Sequence, residues 1–119
     1  MQAPTEDELN LLIHYILWKY SYVLDWPPLV KTLSFNAGLT DNGRTTQQFL
    51  SKYRDTEVGP NALSSENICA STLLHEFVHG RQSQEVFDNE PLSEVEAYRE
   101  EIRQASKTGV ASDMQYMEE

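Results

Sequence analysis

Two histidines four residues apart, with a glutamate beside the first, stand out in the stretch STLLHEFVHGRQ, Ser71 to Gln82, of a 119-residue chain that holds three histidines in all. On an α-helix four residues advance about 400°, so His75 and His79 return to nearly the same face one turn apart. Two imidazoles so placed can share one tetrahedral cation at the roughly 2 Å bond length that zinc requires. Glu76 is offset by about 100° from His75, too far round to be a comfortable third ligand but within reach of a water on the metal, which is where a general base belongs. The alternative is an amphipathic helix that spells the motif without using it. Against it stands the apolar setting, since burying two histidines and a glutamate with no shared purpose would cost stability.

An open catalytic zinc site needs a third protein ligand and one free position. The segment SEVEAYREE offers Glu94 and Glu96. Helical phase separates them: Glu94 shares its face with Ala97 and Tyr98, whereas Glu96 shares its face with Arg99 and Glu100. A small residue and a phenol beside the ligand would let this helix press on the histidine helix and orient a histidine by an outer hydrogen bond, so Ala97 and Tyr98 are supporting candidates and Glu94 is favoured over Glu96. Glu85, six residues after His79, is the other option. Its geometry turns the chain at a glycine, and Gln82 stands there instead.

Positioning these groups falls to a small set of elements. Thr5 and Glu8 have capping-box spacing ahead of apolar Leu9, Leu12 and Ile16, which predicts a long first helix that ends at Trp26 to Pro28. His14 within it reads as a packed or surface residue. Residues 29–60 are β-like: LVKTLSFNA alternates, Asp41-Asn42-Gly43 signals a turn before TTQQFLSKY, and TEVGP closes the region. Two or three antiparallel strands are expected, with Thr56 to Pro60 either an edge against which a peptide could align or a core strand. Serines ahead of the apolar run from Ile68 to Val78 predict a buried helix. A last helix follows, with Pro91 in its first turn, Ser93 and Glu96 at capping-box spacing and Gly109 just past its end. The expected fold is α+β, one domain over residues 1–119, with residues 110–119 as a weakly patterned tail.

HEFVH followed by EVEAY resembles the gluzincin pattern, H-E-x-x-H on one helix and E-x-x-A/S on the next, and the short chain is similar to the minigluzincins. VGPNALSSENICASTLLHEFVHGRQ is also similar to small H-E-L-x-H-x-R-Q metallopeptidase domains of bacterial secreted or toxin-like proteins. The specific match runs from about Glu57 to Arg99. It implies a zincin-like fold, His75, His79 and Glu94 as zinc ligands, Glu76 as base and a peptide or protein as substrate. Two departures are visible: only fourteen residues separate His79 from Glu94, and Tyr98 stands where larger members often carry an aspartate behind the histidine. The resemblance thus implies a zinc-dependent endopeptidase. A toxin or effector peptidase acting in another cell, and a catalytically silent zinc-binding module, are the competing readings.

Composition narrows the partners. Nineteen acidic against nine basic residues give a formal charge of -10, a surface that repels phosphate backbones and anionic headgroups, so neither nucleic acid nor membrane insertion is expected. The single Cys69 cannot form an internal disulfide and suits a reducing compartment. No apolar stretch is long enough to span a bilayer, and the start lacks the pattern of a signal peptide, so the expected location is cytoplasmic, or outside after export without one. For the oxyanion, His14, Tyr98, Arg99, Arg103 and Tyr116 are available. The acidic tail, with Asp113, Glu118 and Glu119, could occupy an open zinc position and silence the site.

Overall fold

Helix α1 (Glu6–Lys19) starts at Thr5, where the Thr5 hydroxyl accepts from the Glu8 amide at 3.2 Å and the Glu8 carboxylate accepts from the Thr5 amide at 3.0 Å, the reciprocal cap that the sequence predicts. The computed structural model describes residues 2–108. The inward row of α1 is Leu9, Ile13, Ile16 and Tyr20. Leu12, expected on that row, is instead 39% exposed, because the face centred on Ile13 and Ile16 is the one that meets the sheet and the central helix.

Three strands follow, β1 (Val30–Phe35), β2 (Gly43–Gln47) and β3 (Arg54–Val58), in the spatial order β1-β3-β2. The expected wholly antiparallel sheet is corrected to a mixed one. β1 runs parallel to β3, with Phe35 opposite Val58, and only β2 is antiparallel to β3, with Thr45 opposite Thr56. The reason is topological. After β1 the chain crosses the end of β3, with the Asn36 amide donating to Val58 and the Gly59 amide to Asn42, so Asp41-Asn42-Gly43 leads into β2 without forming a hairpin to β1. The hairpin is the later one, β2 to β3. The Gln48 amide donates to the Tyr53 carbonyl at 2.9 Å, and Leu50 takes the left-handed φ of 52° at the tip. This places Thr56 to Val58 in the central strand, which removes that segment as an edge for peptide addition; β2 holds the free edge beside the site.

The sheet presents one face to the central helix. Alternation along β3 sends Arg54, Thr56 and Val58 inward, while Asp55 and Glu57 on the other face take hydrogen bonds from Thr32 at 2.8 Å and Arg44 at 2.7 Å. Helix α2 (Glu66–Arg81), capped by the Ser65 hydroxyl on the Ile68 amide, is buried without a break from Cys69 to Gly80. A helix buried on every side must be enclosed. α1 and the sheet cover one side, and α4 (Glu90–Thr108) covers the other, with the short α3 (Gln84–Asp88) between α2 and α4. Leu73 and Phe77 are wholly buried, each contributing about 1.5–3 kcal/mol. Gly80 is required where α2 meets β1: a Cβ there would lie 2.6 Å from Val30 Cγ2 and 2.9 Å from Pro27 Cγ.

Pro91 lies in the first turn of α4 as expected. Ser93 is not its cap. The helix begins at Glu90, the Asn89 side chain accepts from the Leu92 amide at 3.3 Å, and the Ser93 hydroxyl turns inward instead. Gly109 and the tail, with the proposed self-inhibition, lie outside the described residues. No described helix is long and apolar enough to cross a membrane.

Candidate metal centre

The two histidines stand on the face of α2 that meets α4. His75 Nε2 and His79 Nε2 are 3.1 Å apart, and Glu94 reaches both from α4, one carboxylate oxygen 3.2 Å from His75 Nε2 and the other 2.8 Å from His79 Nε2. A tetrahedral cation with bonds of about 2.0–2.2 Å would hold its ligand atoms about 3.3–3.5 Å apart. The observed spacings of 2.8 to 3.2 Å are shorter by about 0.1–0.7 Å, so a bound ion would spread the three groups slightly. Glu94 is thus the third member of the cluster, while Glu96 faces solvent and Glu85 lies exposed on α3, so neither belongs to it.

The hydrogen bonds behind the histidines fix which nitrogen is free. His75 Nδ1 is held by the buried carboxylate of Glu101, whose second oxygen accepts from the Ser71 hydroxyl at 2.9 Å. A carboxylate can only accept, so Nδ1 carries the proton and Nε2 a lone pair. For His79 the same result comes from an amide. Gln82 Nε2 donates to the Ser93 carbonyl at 3.0 Å, which turns Gln82 Oε1 toward His79 Nδ1, also at 3.0 Å. The Ser93 hydroxyl donates to that oxygen at 2.6 Å and lies 2.8 Å from the same Nδ1. Both Nε2 lone pairs and the Glu94 carboxylate therefore converge as acceptors, an arrangement that needs a cation between them.

Without a metal, a proton takes that role. Burial pulls the His75 pKa down, but its bonds to Glu101 and Glu94 outweigh this and raise it to about 10; His79 is raised likewise, burial again opposed by Glu94 and Gln82. Glu94 is held well below the usual carboxylate range by its bonds to the two histidines. The described His-His-Glu group could thus hold a metal ion.

Glu76 stands beside this group and outside it. Only 6% of it is exposed, and burial raises its pKa against the pull of the two histidines. Thr45 on β2 donates to Glu76 Oε1 at 2.9 Å and sits 3.0 Å from the Thr56 hydroxyl, so the free-edge strand and the central strand both fix the carboxylate. Gly43 makes this approach possible: a Cβ there would fall 2.7 Å from Thr72 Cγ2 and 2.8 Å from Glu76 Cγ.

A cleft of about 690 Å³ lies on the His75 side of the cluster and another of about 400 Å³ on the His79 side, with Gly43, Glu76 and Glu94 lining both. Glu94 is the exposed ligand, its side chain 42% accessible against 8% for each histidine, so the cluster opens toward the cleft. Ala97 is fully buried and permits the close contact of α4 with α2. Tyr98 packs edge-on against His75 with ring centres 4.6 Å apart and lines the larger cleft; the hydrogen bond orienting His75 comes from Glu101 instead. Of the oxyanion candidates, His14 stacks on Trp26, Arg103 pairs with Glu100 and Arg99 faces solvent, which leaves Tyr98 in the cleft; Tyr116 lies outside the described residues.

Below the site, the buried Arg54 donates to the carbonyls of His79 at 2.7 Å and Gln82 at 2.8 Å, which ties the end of α2 to the central strand. Gln82, Ser93, Glu101, Thr45 and Arg54 were not singled out from the sequence as site residues. For Glu101 a signal existed: it is seven residues from Glu94, two turns on and within about 20° of the same face. Compared with protein-family models, with curated proteins and with solved structures, the chain matches none.

Proposed function

We propose that this chain is a zinc-dependent endopeptidase of gluzincin type. One observation carries the reading: three acceptor atoms converge from α2 and α4, and a fourth buried group, Glu76, flanks them without joining them and lines the adjoining cleft. A purely structural zinc site is closed by four protein ligands, whereas a hydrolytic one keeps a position open. His75, His79 and Glu94 would hold the ion, which when bound supplies a Lewis acid that acidifies water and polarises a carbonyl. Glu76 takes the proton from the attacking water and returns it to the departing amine nitrogen. Thr45 holds one carboxylate oxygen in place, so the proton moves at the other. The free edge of β2, three residues of which line the cleft, offers backbone groups to an extended peptide.

The test is the Glu76→Gln variant, which keeps the shape and removes the base. Zinc content, measured by mass spectrometry after dialysis, is expected to match the unaltered protein, while cleavage of an unfolded protein substrate falls by about 10²–10⁴-fold. Equal zinc and equal, negligible cleavage in both would favour the silent binding module.

A further inference from the structure

The walls of the cleft carry a charge pattern that the zinc chemistry does not require. Asp41 and Glu90 line both lobes and Asp88 lines the smaller one, all three exposed at the rim, from the loop before β2, the start of α4 and the end of α3. Among the described lining residues the one lysine or arginine is Arg44. Its guanidinium is held by Glu57 at 2.7 Å, which satisfies that charge within the protein. With zinc bound, its two charges are matched by the carboxylates of Glu94 and of Glu101 behind His75, with or without Glu76, so Asp41 and Glu90, and Asp88 in part against the buried Arg54, set the sign that an arriving chain meets.

We infer that the cleft selects peptides carrying lysine or arginine next to the bond to be cut, with Asp41, Asp88 and Glu90 as the specificity-determining residues. This rests on the peptidase reading for its consequence, though the selection itself is a property of binding. Three exposed carboxylates each contribute a small factor, and together they give a preference of about ten-fold at low salt. Exposure makes that preference fade as salt rises past about 0.1 M, where the screening length shrinks to about 10 Å. An acidic peptide meets the same rim as repulsion, so discrimination arises from rejection as well as from attraction.

The experiment separates binding from cutting. Zinc-loaded Glu76→Gln protein is titrated with three fluorescent peptides of equal length, one lysine-rich, one neutral and one glutamate-rich, at low and high salt. The expected order is lysine-rich, neutral, glutamate-rich, with about ten-fold between the extremes and most of it lost at high salt. Adding D41N, D88N and E90Q together should bring the three affinities to within about two-fold. Equal binding of the three peptides by the protein with its rim intact, or a preference that survives removal of the rim charges, would overturn the assignment. The same peptides are then given to the unaltered enzyme. Selective binding with no cleavage would sink the hydrolytic reading and leave charge selection standing, whereas equal binding of the three peptides with cleavage of each would do the reverse.

Discussion

At the residue scale the centre is decided by atoms one bond behind the ligands. Glu101 and the Gln82–Ser93 pair force both histidines to offer Nε2, so a change behind the site should act as a loss of metal affinity. Glu101→Gln keeps the size and an oxygen acceptor but removes the charge, and zinc affinity by competition with a chelating dye is expected to fall about 10–100-fold. An unchanged affinity would mean that Glu101 only packs. The same proton bookkeeping gives a pH dependence. The folded, metal-free His75 has its pKa raised from 6.5 to about 10, so its imidazolium stabilises the metal-free fold fully below about pH 6.5, and that contribution is lost as pH rises through about 10. Zinc has to displace this proton. Its apparent affinity should therefore rise about ten-fold per pH unit for each proton released, then level off near pH 10. Calorimetry at pH 7 in two buffers of different protonation enthalpy reads the number released, and zero would contradict the geometry.

At the scale of elements, Glu76 is held by a strand and the His-His-Glu cluster comes from helices, so the two can be perturbed separately. Gly43→Ala places a methyl against Thr72 and Glu76, which must push β2 and Thr45 away from α2. Overpacking of this kind costs about 1–3 kcal/mol. Cleavage should fall far more than zinc affinity, because the atoms nearest that methyl belong to Thr72 and Glu76 and not to the three candidate ligands; a variant with normal turnover would show that β2 does not position Glu76. The same division explains what could be read in advance. His75, Glu76, His79 and Glu94 followed from helical phase, which is local and regular. Glu101 obeyed the same phase but was hidden in a charge-rich run that looks like a solvated face. Ser93 followed a capping rule that was real in spacing and wrong in place, since Asn89 starts the helix four residues earlier than that rule requires. Thr45 had no local signal at all: its place beside Glu76 depends on the β2–β3 hairpin docking against α2, a contact across 31 residues that no short pattern encodes.

For the whole molecule, the metal would join what the apolar core joins only in part. α2 is enclosed by the sheet and α1, whereas α4 presents Ala97, Ser93 and Glu101 to it and leaves Leu92, Val95 and Ile102 about half exposed. The grip of α4 is thus largely polar, and besides Glu94 both Glu101 and Ser93 bond to His75 and His79. A domain of this size has a net stability of about 5–15 kcal/mol, so a ligand at a hundred times its dissociation constant, worth about 2.7 kcal/mol, is a large fraction of it. Removing zinc with a chelator should lower Tm by roughly 10 °C. The loss should also be local. Amide hydrogen exchange is expected to speed up over α3 and the first turns of α4, where Glu94 was the tether, while Thr56 and Val58 in the central strand stay protected. Glu94→Gln weakens the tether from the other side, and should reproduce the faster exchange and shrink the zinc-dependent rise in Tm. If chelation left both Tm and exchange where they were, the three ligands would not be joined by a metal in solution, and the hydrolytic reading would fall with them.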